Sequence, residues 1–228
     1  MDNQKMELRK LRDFSENLND TFQFIRQELK PLLGSFLAIC GVFIILSGIV
    51  GGIYQENSLD NVLNVFKGVA YKPNGFAQVF NGVYFLLIFL SILSYVLMHI
   101  VLAAYFKIYL IKNKVSPTIE EVWNESVQHI LPLFFFSIIY AVITIVSVFF
   151  CIVPFFYFSV VFAPFTMIYV IEGGSFGRGF NRCFALIKDN YWMSLAIYLV
   201  AYIIYAFGST IVGAIVSVVA GLAAYFTT

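Results

Sequence analysis

The sequence predicts an all-α integral membrane protein. Six transmembrane helices are expected as three parallel repeats, each an interfacial amphipathic helix plus a membrane hairpin. Three observations lead there: a composition too apolar for a soluble core, six apolar runs near membrane-crossing length, and a polar helical segment that recurs. Of 228 residues, 61% are hydrophobic and 12% charged, and the mean hydropathy is +0.86. A soluble domain carries about 25% charged residues. No soluble core of this length hides so much apolar surface, so lipid is the expected solvent. A net charge of +1 gives no electrostatic footing for nucleic acid.

The six runs are Leu32–Ile53, Val79–Ile111, Ile130–Ile152, Pro154–Ile171, Tyr191–Phe207 and Ser209–Phe226. A helix needs about 20 residues to cross ~30 Å of hydrocarbon, so the second run is long enough to tilt or project. The last three are at or just below the minimum, and Gly208 alone separates the final two. Residues 1–31 are polar and mixed in charge, unlike a signal-peptide n-region, so no cleavage is expected. The one long outer loop, Tyr54–Gln78, holds Leu59, Val62, Leu63, Phe66 and Val69 at helical spacing. That pattern suggests a short interfacial helix.

Orientation follows from the basic residues. With the N-terminus inside, twelve Lys and Arg are cytosolic, while only Lys67 and Lys72 lie outside. This asymmetry places both termini in the cytosol.

The recurring segment begins at Asp13 ("DFSENLNDTFQFI"), Thr118 ("TIEEVWNESVQHI") and Ser175 ("SFGRGFNRCFALI"). Each start is a good N-cap residue, and Glu16 and Glu121 complete capping boxes in the first two. Apolar residues share one register: Phe14, Leu18, Phe22, Ile25; Ile119, Trp123, Val127, Ile130; Phe176, Phe180, Phe184, Ile187. Each copy carries an Asn (Asn19, Asn124, Asn181) and, two residues on, a small side chain (Thr21, Ser126, Cys183). The Asn amides are expected to reach backbone of the adjacent hairpin, and the small residues to face a neighbouring span. "AAYFKIYLIK" and "APFTMIYVIE" close the second and fourth runs with a shared I-Y-[LV]-I. The chain therefore reads as one membrane domain, 1–228, with repeats at 13–112, 118–172 and 175–228. The three amphipathic segments are expected to lie flat as a cytosolic belt.

The third copy also carries a resemblance. "EGGSFGRGFNRCFALIKDNYW", Glu172 to Trp192, resembles a motif, roughly E-G-x-S-P-x-E-A-L-K-R-S-x-x-L-x-K-G-N-x-W. That motif belongs to a bacterial multi-pass membrane family related to the membrane domain beside glycerophosphoryl diester phosphodiesterases. The match falls on Glu172, Gly173, Ser175, Arg182, Leu186, Lys188, Asn190 and Trp192, with departures at Phe176, Arg178 and Asn181 among others. The resemblance implies a membrane scaffold in the inner (cytoplasmic) membrane of a bacterium and little about function. The phosphodiesterase barrel is not expected, because the membrane unit accounts for all 228 residues.

Chemistry-bearing residues are few. "GGSFG" satisfies G-x-S-x-G, but a nucleophile elbow needs a strand before the Ser and His and acid partners. No His follows Ser175, so Ser175 reads as a helix cap behind two glycines that end the fourth span. His99 is the one strongly titratable group at membrane depth. It reads either as a functional group or as a neutral side chain bonded to a neighbouring helix. Pro164, in mid-span, should kink or break its helix. Stripes of small residues (Ser209, Gly213, Ser217, Gly221; Gly34, Ala38, Gly41, Gly48) suit close helix approach. The three cysteines, Cys40, Cys151 and Cys183, have no paired or metal-type spacing. No catalytic, cofactor or metal residues are expected.

Two functions fit this sequence. One is a non-enzymatic component that binds a protein partner in a membrane complex. The alternative is a carrier or permease-like protein handling lipid or a small apolar substrate, for which a polar cavity at His99 and Pro164 would be the discriminating sign. Membrane lipids are the expected partners in either case.

Overall fold

The computed structural model describes residues 13–66, 82–150, 152–173 and 175–227, and every element within them is an α-helix. In chain order these are α1 (Phe14–Phe66), α2 (Gly82–Ile111), α3 (Ile119–Phe150), α4 (Ile152–Phe162), α5 (Phe165–Glu172), α6 (Phe176–Ile187) and α7 (Tyr191–Thr227). Among the described residues, five stretches are long and apolar enough to cross a membrane: Phe14–Gln55, Gly82–Ile111, Ile119–Phe149, Pro154–Glu172 and Tyr191–Val218.

Among the described residues, five such helices stand where six spans were expected. The last two runs form the single helix α7, 37 residues long, with Gly208 inside it. One interior Gly costs a helix only about 1 kcal/mol, which does not end a helix that contains no Pro.

The separate belt also needs correction. The amphipathic segments at Asp13 and Thr118 run on without a break into α1 and α3, and only α6 stands apart as its own helix. Both continuous helices start at a true capping box. Glu16 N–H donates to Asp13 Oδ1 (2.7 Å) and Asp13 N–H to Glu16 Oε2 (3.4 Å). Thr118 N–H donates to Glu121 Oε2 (2.9 Å), and Glu121 N–H to Thr118 Oγ1 (3.4 Å). Pro31 and Pro132 lie within the two helices; each removes one backbone donor but leaves the ladder on either side intact. The outer-loop helix likewise begins as a continuation of α1 as far as Phe66, and the rest of that segment, 67–81, lies outside the described residues.

Pro164 does break its span. α4 ends at Phe162, Ala163 and Pro164 form a turn, and α5 starts at Phe165. Gly173 closes α5 at φ 62°, ψ 35°, a left-handed conformation that costs Gly nothing. Ser175 occupies the N-cap of α6, but its hydroxyl makes no capping bond and instead accepts from Arg178 Nε at 3.3 Å.

Helix α2 is the seam of the molecule. Leu97, Val101, Ala104, Tyr105 and Tyr109 join Phe24, Ile39 and Cys40 of α1 in one buried cluster. Val96, Ile100 and Ala103 join Leu133 and Phe136 of α3 and a wall from α4, α5 and α6 in another. Two ion pairs, Lys107–Glu125 (2.6 Å) and Lys112–Glu121, tie the end of α2 to the start of α3. The outer surface stays apolar, as lipid contact requires: Phe149 is 86% exposed and Leu131 66%.

The small residues of the recurring segment behave unequally. Ser126 and Cys183 are fully buried, as expected, whereas Thr21 is exposed and hydrogen-bonds its own helix at Asn17 O. Asn19, Asn124 and Asn181 are all exposed, with no side-chain hydrogen bond among the described residues. Their expected reach to an adjacent hairpin fails because the buried face is rotated from them toward the small-residue positions, Val122 and Ser126 on α3 and Gly179, Cys183 and Ile187 on α6.

Candidate functional site

Tyr95 and His99 sit one turn apart on α2, with ring centroids 4.5 Å apart and planes at 65°. They form one wall of a cleft of about 310 Å³. Ser137 and Tyr140 of α3 face them; Ser159 of α4, Ala163 and Thr166 at the Pro164 break, and Tyr198 of α7 complete the lining. The floor is dry and packed: Leu133 is 2% exposed, Phe162 4% and Val96 5%. The rim is open, with Tyr95 at 55% and Tyr198 at 38%. The cleft thus has a buried apolar base and opens past the exposed rings of Tyr95 and Tyr198.

Its helical origin is simple. Positions i, i+3, i+4 and i+7 share a helix face, which brings Leu133, Phe136, Ser137 and Tyr140 together on α3. Phe136 and Tyr140 stack at 6.1 Å, and both rings meet Phe162 edge-on at 6.3 and 6.2 Å. The break at Ala163–Pro164 forms part of the wall, with Ala163 and Thr166 on either side of Pro164 in the lining.

The polar atoms of the cleft are chemically unspent. Ser137 and Ser159 donate to their own helices, at Phe134 O and Phe155 O (2.7 Å each), which leaves their oxygen lone pairs. Among the described residues no protein hydrogen bond reaches the His99 ring nitrogens or the side-chain hydroxyls of Tyr95, Tyr140, Thr166 and Tyr198. His99 therefore does not bond a neighbouring helix, the structural role open to it from sequence; it rests against Tyr95 of its own helix. No Asp, Glu, Lys or Arg is among the lining residues. Polar groups without partners in hydrocarbon cost a few kcal/mol each, roughly 1–3 on protein scales, so a ligand that hydrogen-bonds there recovers that cost.

A roomier groove, about 530 Å³, runs between α1 and α3 past Val42, Phe43 and Trp123, but its one polar lining side chain is Glu120. Convergent polar groups in an apolar setting, rather than volume, mark a binding site, and the His99 cleft has them.

A second polar centre escaped the sequence. Glu28 of α1 is 6% exposed, and its Oε2 accepts from Tyr105 Oη and Ser116 Oγ, both at 2.7 Å. The missed signal was spacing: Phe24, Glu28, Ser35 and Ile39 fall on one buried stripe of α1, so Glu28 occupies a core position inside a segment that reads as solvated. The tyrosines of the His99 cleft were missed as well, although Tyr95 at i−4 from His99 placed it on the same face.

Comparison with known proteins gives no match: no family model, no curated protein and no solved structure matches this chain.

Proposed function

We propose that this protein is a carrier or permease-like membrane protein that takes a lipid or another small, largely apolar molecule into the cleft at His99. One observation carries the reading: unpartnered hydroxyls and an imidazole from α2, α3, α5 and α7 converge on a space with an apolar floor and an opening past Tyr95 and Tyr198. A molecule dissolved in the bilayer enters such a cleft without crossing water. Its polar head replaces the missing hydrogen bonds while its tail stays in lipid. The lining offers hydroxyls and one imidazole, donors and acceptors that can hold a polar head group.

The setting we propose is the inner membrane of a bacterium, with the N-terminus cytosolic on the strength of the basic-residue asymmetry. With α7 crossing once, the C-terminal end of α7 lies on the opposite face, so the proposal no longer places both termini together. The threefold repeat belongs to the same proposal, supported by two capping boxes of like geometry and by the buried Ser126 and Cys183. The motif at Glu172–Trp192 further supports kinship with the membrane domain beside glycerophosphoryl diester phosphodiesterases. A second reading, a structural component that binds a protein partner, has its own support in α7. No residue in its most apolar window is buried, and Phe207 is 69% exposed.

Organic extracts of purified wild type, Thr166→Trp and Ser159→Phe test the first reading. The wild type should retain a defined apolar molecule near one per chain, and both cleft-filling variants should lose it while eluting at the same size. Identical extracts from all three would overturn the proposal.

A further inference from the structure

The Glu28 centre is more than a clamp between helices. Its carboxylate is buried, and among the described residues no cationic side chain is paired with it. Lys107 and Lys112 are committed to Glu125 and Glu121, and Arg26 and Lys30 are exposed on other faces of α1. The N-terminus of α3, the nearest positive helix end, is closed by its own Glu121. Taking a carboxylate out of water costs several kcal/mol, roughly, unless a counter-charge and further hydrogen bonds compensate.

Two features beside it point to an occupant. The Tyr109 hydroxyl is fully buried and has no hydrogen-bond partner, and its ring packs edge-on against Phe24, one turn before Glu28, and beside Tyr105, which holds the carboxylate. The C-terminus of α2 ends in the same place and brings the negative end of the helix dipole, although its carbonyls at Ile108, Tyr109 and Leu110 already accept from Lys112, Lys114 and Asn113 N–H. There Asn113 (φ 50°) and Lys114 (φ 70°) turn the chain back, held by Lys114 N–H on Tyr109 O (2.9 Å), and the turn delivers Ser116 to Glu28. Holding two non-glycine residues at positive φ costs roughly 1–3 kcal/mol each.

We propose that Glu28, Tyr109 and Ser116 bind one dehydrated monovalent inorganic cation between α1, α2 and the turn at 112–117. The ligands are hard oxygens: Glu28 Oε1, which accepts no protein hydrogen bond, the unpartnered Tyr109 hydroxyl, and the lone pairs left on Ser116 Oγ. A single carboxylate neutralises one positive charge, which favours an alkali ion over Ca²⁺ or Mg²⁺, whose sites gather more carboxylate or retained water. The bound ion pins the end of α2 against α1 and supplies the counter-charge that the fold omits.

Melting of the purified full-length protein in NaCl, KCl, LiCl and N-methyl-D-glucamine chloride at equal ionic strength tests this site. Binding to the folded state alone raises stability with ligand concentration. One alkali chloride should raise the wild-type melting temperature saturably above the organic salt. Glu28→Gln should abolish that difference, and Tyr109→Phe should raise the half-saturating concentration about tenfold, the worth of one good hydrogen bond or ligand. Equal melting of the wild type in all four salts would overturn the site, as would an alkali-specific rise that survives in Glu28→Gln. Should Glu28→Gln fail to fold, Ser116→Ala and Tyr109→Phe keep the carboxylate and decide alone: wild-type half-saturation in both refutes the proposal.

Discussion

Cys183 is fully buried on α6, and burial, helped by the charge of Glu172, pushes its thiol up to about 11. A pKa raised that far keeps the sulfur protonated at pH 8, and only the thiolate is nucleophilic. In a Cys40→Ser, Cys151→Ser background, native protein should therefore resist N-ethylmaleimide at pH 8 and label fully in dodecyl sulfate. Fast labelling of the folded protein would show that α6 opens away from α5. The sequence offered Cys183 as a small packing residue, which is how the structure uses it. It offered nothing about Glu28, because a carboxylate in a charged segment resembles its solvated neighbours until the opposite helix is in place.

Helix α6 shows what close packing asks of an element. Gly179 is buried, and a Cβ there would stand 3.2 Å from the Phe165 ring. That ring is fully buried and stacked on Phe136 at 3.6 Å, so it has little room to yield. Gly177, two residues back on the opposite side of the helix and exposed, meets nothing within 4 Å. Gly177→Ala should stabilise the protein by about 0.5–1 kcal/mol through helix propensity. Gly179→Val should cost about 1–3 kcal/mol through overpacking. Chemical denaturation of the two variants in one detergent measures both, and a loss from Gly177→Ala equal to that from Gly179→Val would contradict the packing.

Element starts and breaks were the most legible features: both capping boxes and the Pro164 break follow from local chemistry at Asp13, Thr118 and Pro164. Element ends were less so, since Gly208 interrupts a hydropathy pattern without interrupting backbone hydrogen bonds. Convergence on the cleft was invisible, because Tyr95, Tyr140 and Tyr198 lie on three helices whose relative rotation no local pattern records.

For the whole molecule, five long apolar helices among the described residues and one cleft make one account. Ser217 lies about 40 Å along α7 from Tyr191, beyond a ~30 Å hydrocarbon core. Single cysteines at Asn190 and Ser217 should thus label from opposite faces with an impermeant maleimide. Protection of Ser217→Cys from both sides would restore a hairpin at Gly208. The cleft itself is tested most directly by an experimental structure of the protein in nanodiscs made from its native membrane. The account predicts elongated density between α2, α3 and α7, with its polar end within hydrogen-bonding distance of His99 and Tyr140. A collapsed cleft without density, its tyrosine hydroxyls bonded to one another or to neighbouring helices, would contradict it.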